Sequence, residues 1–112
     1  MDKLTKYRKI IRQILERHAQ SSGVSTPGME TEPVIDEQHD HYMLFRLGWS
    51  PNGRIHGTTV HIRLRNGKFW IEEDWTEEGI ATDLLAANVP PEDIVLAFHE
   101  PAMRQYTEFA VA

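Results

Sequence analysis

Cysteine is absent from the 112 residues, which excludes disulfides, thiolate nucleophiles and cysteine-ligated zinc or iron–sulfur sites. Long hydrophobic runs are missing too. No stretch approaches the roughly 18–20 apolar residues that span a bilayer, and the first twenty residues show neither the apolar run nor the small-residue cleavage site of a secretory signal. These features predict a cytoplasmic protein without membrane association. There is no glycine-rich phosphate loop, no His-Glu-x-x-His and no internal repeat. Positive charge is scarce outside the N-terminus. Residues 1–20 hold Lys3, Lys6, Arg8, Lys9, Arg12 and Arg17 against Asp2 and Glu16, a net +4; the other six Lys/Arg face fifteen Asp/Glu, a net −9, together the −5 of the whole chain. Nucleic-acid binders carry a basic footprint on the body of the domain. Here the body is acidic, so direct DNA contact would rest on one helix, and a partner with a basic surface suits the body better.

What is present is an ordinary globular composition, 40% hydrophobic and 26% charged, at the length of one domain. Leu4, Tyr7, Ile10, Ile11, Ile14, Leu15 and His18 recur at three- and four-residue spacing, which predicts an amphipathic helix over 3–19. A flexible Ser/Gly/Pro connection follows over 21–28. Residues 30–36 read as a short strand that Pro33 places at a sheet edge. Residues 41–49, 54–65 and 68–74 read as three further strands, joined by Pro51-Asn52-Gly53 and by Asn66-Gly67, a type I′ hairpin signal. Thr76 is positioned to cap a helix carrying Ile80, Ala81, Leu84 and Leu85. Residues 94–98 suggest a fifth strand, and 101–109 a terminal helix docked by Met103, Tyr106 and Phe109. The expected fold is α+β: an N-terminal helix, an antiparallel meander of four or five strands, and C-terminal helices packed on one sheet face.

Running the hairpin registers outward predicts the two faces. Met43, Phe45, Leu47 and Trp49 join Val60, Ile62, Leu64, Phe69 and Ile71 as the core face. The other face then carries a row Tyr42–His61–Glu72, flanked by Leu44, Arg46, Arg63 and Trp70. A His beside a carboxylate and a phenol can serve as an acid–base relay, which would make a small hydrolase of the chain. Such cross-strand pairs are also ordinary on a solvated face. Trp, Tyr and Arg on an open face are residue types enriched at binding hot spots, so a protein interface through Tyr42, Arg46, His61, Arg63, Trp70 and Glu72 is the stronger reading. Lys6, Lys9 and Arg12 are the candidates for phosphate contact. Of the six histidines only His39 and His41 are closely spaced, too little for a metal site, and Glu73 alternates away from Glu72 and Asp74. No catalytic residues, metal or cofactor are assigned.

The chain as a whole resembles the XisI family, the cyanobacterial fdxN-element excision controlling factors. The likeness runs from Met1-Asp2-Lys3-Leu4 and Tyr7-Arg8 through Asp40-His41-Tyr42, Gly48-Trp49 and His61-Ile62. It continues through Lys68-Phe69-Trp70-Ile71-Glu72, Asp83-Leu84, Val89-Pro90, Asp93-Ile94-Val95-Leu96 and Phe98-His99, and closes with Pro101 and 104–111. Divergence is expected in the loop at 21–29. The resemblance implies an α+β accessory factor in excision of a DNA element by site-specific recombination during heterocyst differentiation, acting beside a recombinase and a second factor of the XisH type. It carries no catalytic residues over to this sequence. Self-association as a homodimer through the open face is a further expectation.

Overall fold

The computed structural model describes residues 2–22 and 28–112; of the connection predicted over 21–28, residues 23–27 lie outside the described residues, as do the side chains of 21 and 22, whose backbone belongs to the first helix. Helix α1 spans Lys3–Ser22 and is followed by strands β1 (Met29–Asp36), β2 (His41–Ser50), β3 (Gly53–Arg65) and β4 (Lys68–Asp74). Helix α2 (Ile80–Ala86), a single 3₁₀ turn at Pro91–Asp93, strand β5 (Ile94–Leu96) and the one-turn helix α3 (Pro101–Arg104) complete the chain.

The five strands form one sheet in chain order. The first four are antiparallel, as the hairpin signals predict. β5 runs parallel to β4, because the chain crosses over through α2 before rejoining the sheet. The sheet is therefore mixed, and the fifth strand is three residues long. Asn66 and Gly67 sit at φ 54° and 73°, both in the left-handed region that a type I′ turn requires. Pro33 lies on the edge strand, where its missing N–H costs no ladder bond. Gly48 has φ 151°, and a Cβ there would stand 2.9 Å from the Met29 Cα. Only glycine lets β1 close on β2 at this point.

α1 lays Tyr7, Ile11, Ile14 and Leu15 on one face of the sheet, against Tyr42, Leu44, Val60, Ile62, Leu64, Phe69 and Ile71. Ile80 and Leu84 of α2 join the same cluster. Tyr7 stacks on Phe69 with ring centroids 4.7 Å apart. Burying such side chains contributes about 1.5–3 kcal/mol each before entropy is counted, so this cluster carries the fold.

Two local expectations are corrected. Thr76 does not cap α2; the helix begins four residues later, and the Asp74 carboxylate accepts from Thr76 N, Thr76 Oγ1 and, at 2.6 Å, Ile80 N. A carboxylate that gathers three donors across a loop competes well with a capping hydroxyl. The terminal helix is one turn rather than 101–109. Met103 and Tyr106 are 52% and 76% exposed, and Phe109 alone of the predicted trio packs against the core. The tail is held instead by Arg104, which donates to the carbonyls of Ala97, His99 and Val111.

Candidate partner-binding face

α1 and α2 both pack on one side of the sheet, so the other side, called helix-free below, carries neither of them, and the end of the one-turn α3 reaches only its β4 margin, with Arg104 beside Trp70. Its composition differs from the sequence-based reading because of two β-bulges. At the start of the β2–β3 hairpin Trp49 pairs with Arg54, as expected, and the register holds to Phe45–Thr58. The next pair is Leu44–Val60. Thr59 is the extra residue, and its carbonyl accepts from the Trp75 N–H at 2.9 Å. One inserted residue inverts every face assignment beyond it. Tyr42 thus faces Ile62, and Met43 faces His61. A second bulge, between Ile62–Ile71 and His61–Glu73, leaves Glu72 unpaired in the ladder.

The predicted row Tyr42–His61–Glu72 therefore does not form. Tyr42 and Leu44 are core residues, at 0% and 2% exposure. Arg46 turns to the helix side, where it lines a 420 Å³ cleft with His18, Leu44, Trp75 and Asp83. Met43, Phe45, Leu47 and Trp49, read as core from the sequence, take the helix-free side. Both parities of β2 are apolar, so its alternation alone could not choose between them. Burial of Tyr42 also depends on a partner for its hydroxyl, which donates to Asp40 Oδ1 at 2.9 Å. Arg8 of α1 grips the same carboxylate, Nε to Oδ1 at 2.9 Å and Nη2 to Oδ2 at 3.1 Å. Those bonds hold the Asp40 carboxyl below the usual range, while burial and then Asp40 push the Tyr42 phenol above its own.

His61, Arg63, Trp70 and Glu72 do gather on the helix-free side. Arg63 Nε lies 3.1 Å from Glu72 Oε2, with both side chains about one-third exposed. The Trp70 indole N–H donates to the Arg65 carbonyl at 3.1 Å, and the Arg65 and Arg104 guanidinium groups each lie 5.7 Å from its ring centroid. His61 meets His41 rather than Glu72. Their Nδ1 and Nε2 atoms are 3.0 Å apart, and the rings stack at 5.2 Å. The sequence missed His41 because the uncorrected register put Tyr42 in its place.

Burial, and then the neighbouring His41, lower the His61 pKa below the ordinary imidazole value, against the pull of Glu72. The His41–His61 bond also needs one unprotonated nitrogen. The unfolded chain thus binds a proton at His61 more readily than the folded one. Stability from this site is present above about pH 6.5 and is lost as pH falls below it. The unfolding free-energy gap between the native chain and His61→Gln should shrink as pH is lowered from about 7.5 to about 5, measured by urea titration.

Among the described residues no three His, Asp or Glu side chains converge as a metal site requires. Nor is any helix of the described residues long and apolar enough to cross a membrane.

Fold and face together define a class: a small α+β domain whose mixed sheet is packed by its two longer helices on one side and carries neither of them on the other. The chain belongs to the XisI family, whose model, described as XisI protein, matches residues 1–111. Two solved structures from Anabaena variabilis ATCC 29413 are similar over the whole length. A XisI-like protein is 34% identical, with a TM-score of 0.88, over 97% of this chain and 99% of its own. The fdxN element excision controlling factor XisI is 39% identical, with a TM-score of 0.85, over 99% of this chain and 100% of its own. No curated protein matches the chain.

Proposed function

We propose that the chain is a non-catalytic, cytoplasmic accessory factor that controls excision of a DNA element by binding a protein partner, one of the XisH type. Family membership and the 39%-identical excision controlling factor support the excision role. The observation that carries the binding mode is the helix-free sheet face, with Arg63, Trp70 and Glu72 clustered toward the β4 side. A Trp and an Arg fixed in place by neighbouring groups lose little side-chain entropy on docking, which is the property of an interface anchor.

The basic helix supports this choice over DNA contact. Lys3 pairs with Asp93, Arg8 with Asp40 and Arg12 with Glu37, so at least half of its six cations are engaged within the molecule. Co-expression with an XisH-type protein, read by size-exclusion chromatography with light scattering, is expected to give a stable mixed complex. Trp70→Ala combined with Arg63→Ala should weaken it at least about a hundredfold, as loss of two central anchors does. Absence of a mixed complex would overturn the reading. So would salt-dependent DNA binding that is lost when Lys6, Lys9 and Arg12 are neutralised.

A further inference from the structure

The same helix-free face has a second region, over β1, β2 and the start of β3, which the partner reading does not use. Val34 on β1 and Met43, Phe45, Leu47 and Trp49 on β2 make an apolar strip there. None of them packs against the core, and Val34 and Trp49 are 45% and 65% exposed. Contiguous apolar surface of this kind marks an interaction site.

Its two flanks carry opposite charge. On the β1 side stand Glu30 and Glu32, both exposed and neither with an ion-pair partner among the described residues. On the β3 side stand Arg54, whose guanidinium lies 5.5 Å from the Trp49 ring centroid, and His56. The registers set Glu30 level with His56, with Arg54 two residues nearer the turn. Glu30 pairs with Leu47, which pairs with His56; Glu32 pairs with Phe45, which pairs with Thr58.

We infer that this strip is the interface of a two-fold homodimer, in which the helix-free faces of two copies pack against each other about an axis running along β2. Such an axis lays β1 of one copy over β3 of the other. Leu47 then meets Leu47 and Phe45 meets Phe45, in the aligned packing natural to two twisted sheets. Glu30 of each copy comes over His56 of the other, with Arg54 beside it. A face with Glu30 and Glu32 on one side of its apolar centre and Arg54 beside His56 on the other is complementary to itself, which is what a two-fold interface needs. A foreign partner would have to reproduce that same alternation. Trp70 and Glu72 lie beyond β3 on β4, at the rim of such a dimer, whereas Arg63 on β3 comes level with Asp36 of the other copy; the inference does not rest on the partner reading.

Light scattering of the purified chain is expected to give twice its 13.0 kDa mass at about 10 µM. Leu47→Glu, with unchanged far-ultraviolet circular dichroism, should run as a monomer. Glu30→Arg with Glu32→Arg, at exposed positions that the fold tolerates, should weaken dimerisation about tenfold or more at low salt. Adding Arg54→Glu and His56→Glu to that variant restores the opposite-sign pairing and should recover affinity to within about threefold of native. A native chain that stays monomeric at about 100 µM overturns the proposal. A folded Leu47→Glu chain that keeps the dimer mass does so too, as does a charge reversal that fails to rescue. If Leu47→Glu does not fold, the two charge variants decide alone.

Discussion

Tyr42→Ala is expected to destabilise the protein by about 4 kcal/mol, a large share of the roughly 5–15 kcal/mol that holds a domain of this size together. The side chain is fully buried beneath α1, and its removal leaves a ring-sized cavity against Leu44, Ile62 and the helix. It also strips one donor from Asp40, which Arg8 still holds in a two-pronged grip. Tyr42→Phe keeps the ring and loses only the 2.9 Å hydroxyl bond, so its cost should be about 1 kcal/mol. Urea unfolding with both variants checks the pair of values. The result also separates Tyr42 from its neighbours on the other face. If Tyr42 were an exposed contact residue, alanine would leave stability nearly unchanged and weaken only partner binding. Trp70→Ala should show that opposite pattern, because Trp70 lies on the helix-free side.

Asp93→Ala should cost about 3 kcal/mol. Asp93 is the one charged residue buried among the described residues, and its Oδ2 receives the Tyr7 hydroxyl at 2.6 Å and the Lys3 ammonium at 2.8 Å. Lys3 is half exposed and can rehydrate when the carboxylate is removed. Tyr7 is 5% exposed and cannot, so most of the cost comes from its orphaned hydroxyl. Asp93→Ala combined with Tyr7→Phe should therefore be less destabilised than Asp93→Ala alone. Burial by itself would raise the Asp93 pKa, but the bonds from Lys3 and Tyr7 more than offset it and hold the carboxyl below its ordinary 3.8. With the folded value depressed, the unfolded state binds the proton more readily. The contribution is complete above about pH 4 and is lost as pH falls through the folded value. The stability gap between the native chain and Asp93→Ala should narrow in that acid range, measured by thermal unfolding at stepped pH.

Legibility of the fold from sequence followed how local each signal was. Helix α1 declares itself because seven stripe residues agree on one period, and the Asn66-Gly67 turn because both positions need positive φ. The alternation of β3 beyond the bulge and of β4 was also readable: Val60, Ile62, Leu64, Phe69 and Ile71 all face the core. β2 was not, since Tyr42-Met43-Leu44-Phe45 offers apolar groups to both sides. Its outer set is the more numerous, and the sequence-based reading took that set as core. The position of Asp93 as an anchor for the first turns of α1, 86 residues from Tyr7, has no local signature at all.

The sequence by itself determined the elements, their order, the edge position of β1 and the family, because each rests on short-range stereochemistry or on the pattern of the whole chain. Only the tertiary structure decided which face of β2 is buried, and with it which residues are available to a partner. The reason is the period of a strand. One extra residue at Thr59 exchanges the two faces of β2 relative to its neighbours, and that residue is placed by long-range requirements. The Trp75 N–H, just past β4, donates to its carbonyl, Asp40 held by Arg8 accepts the Tyr42 hydroxyl, and α1 covers whichever face results.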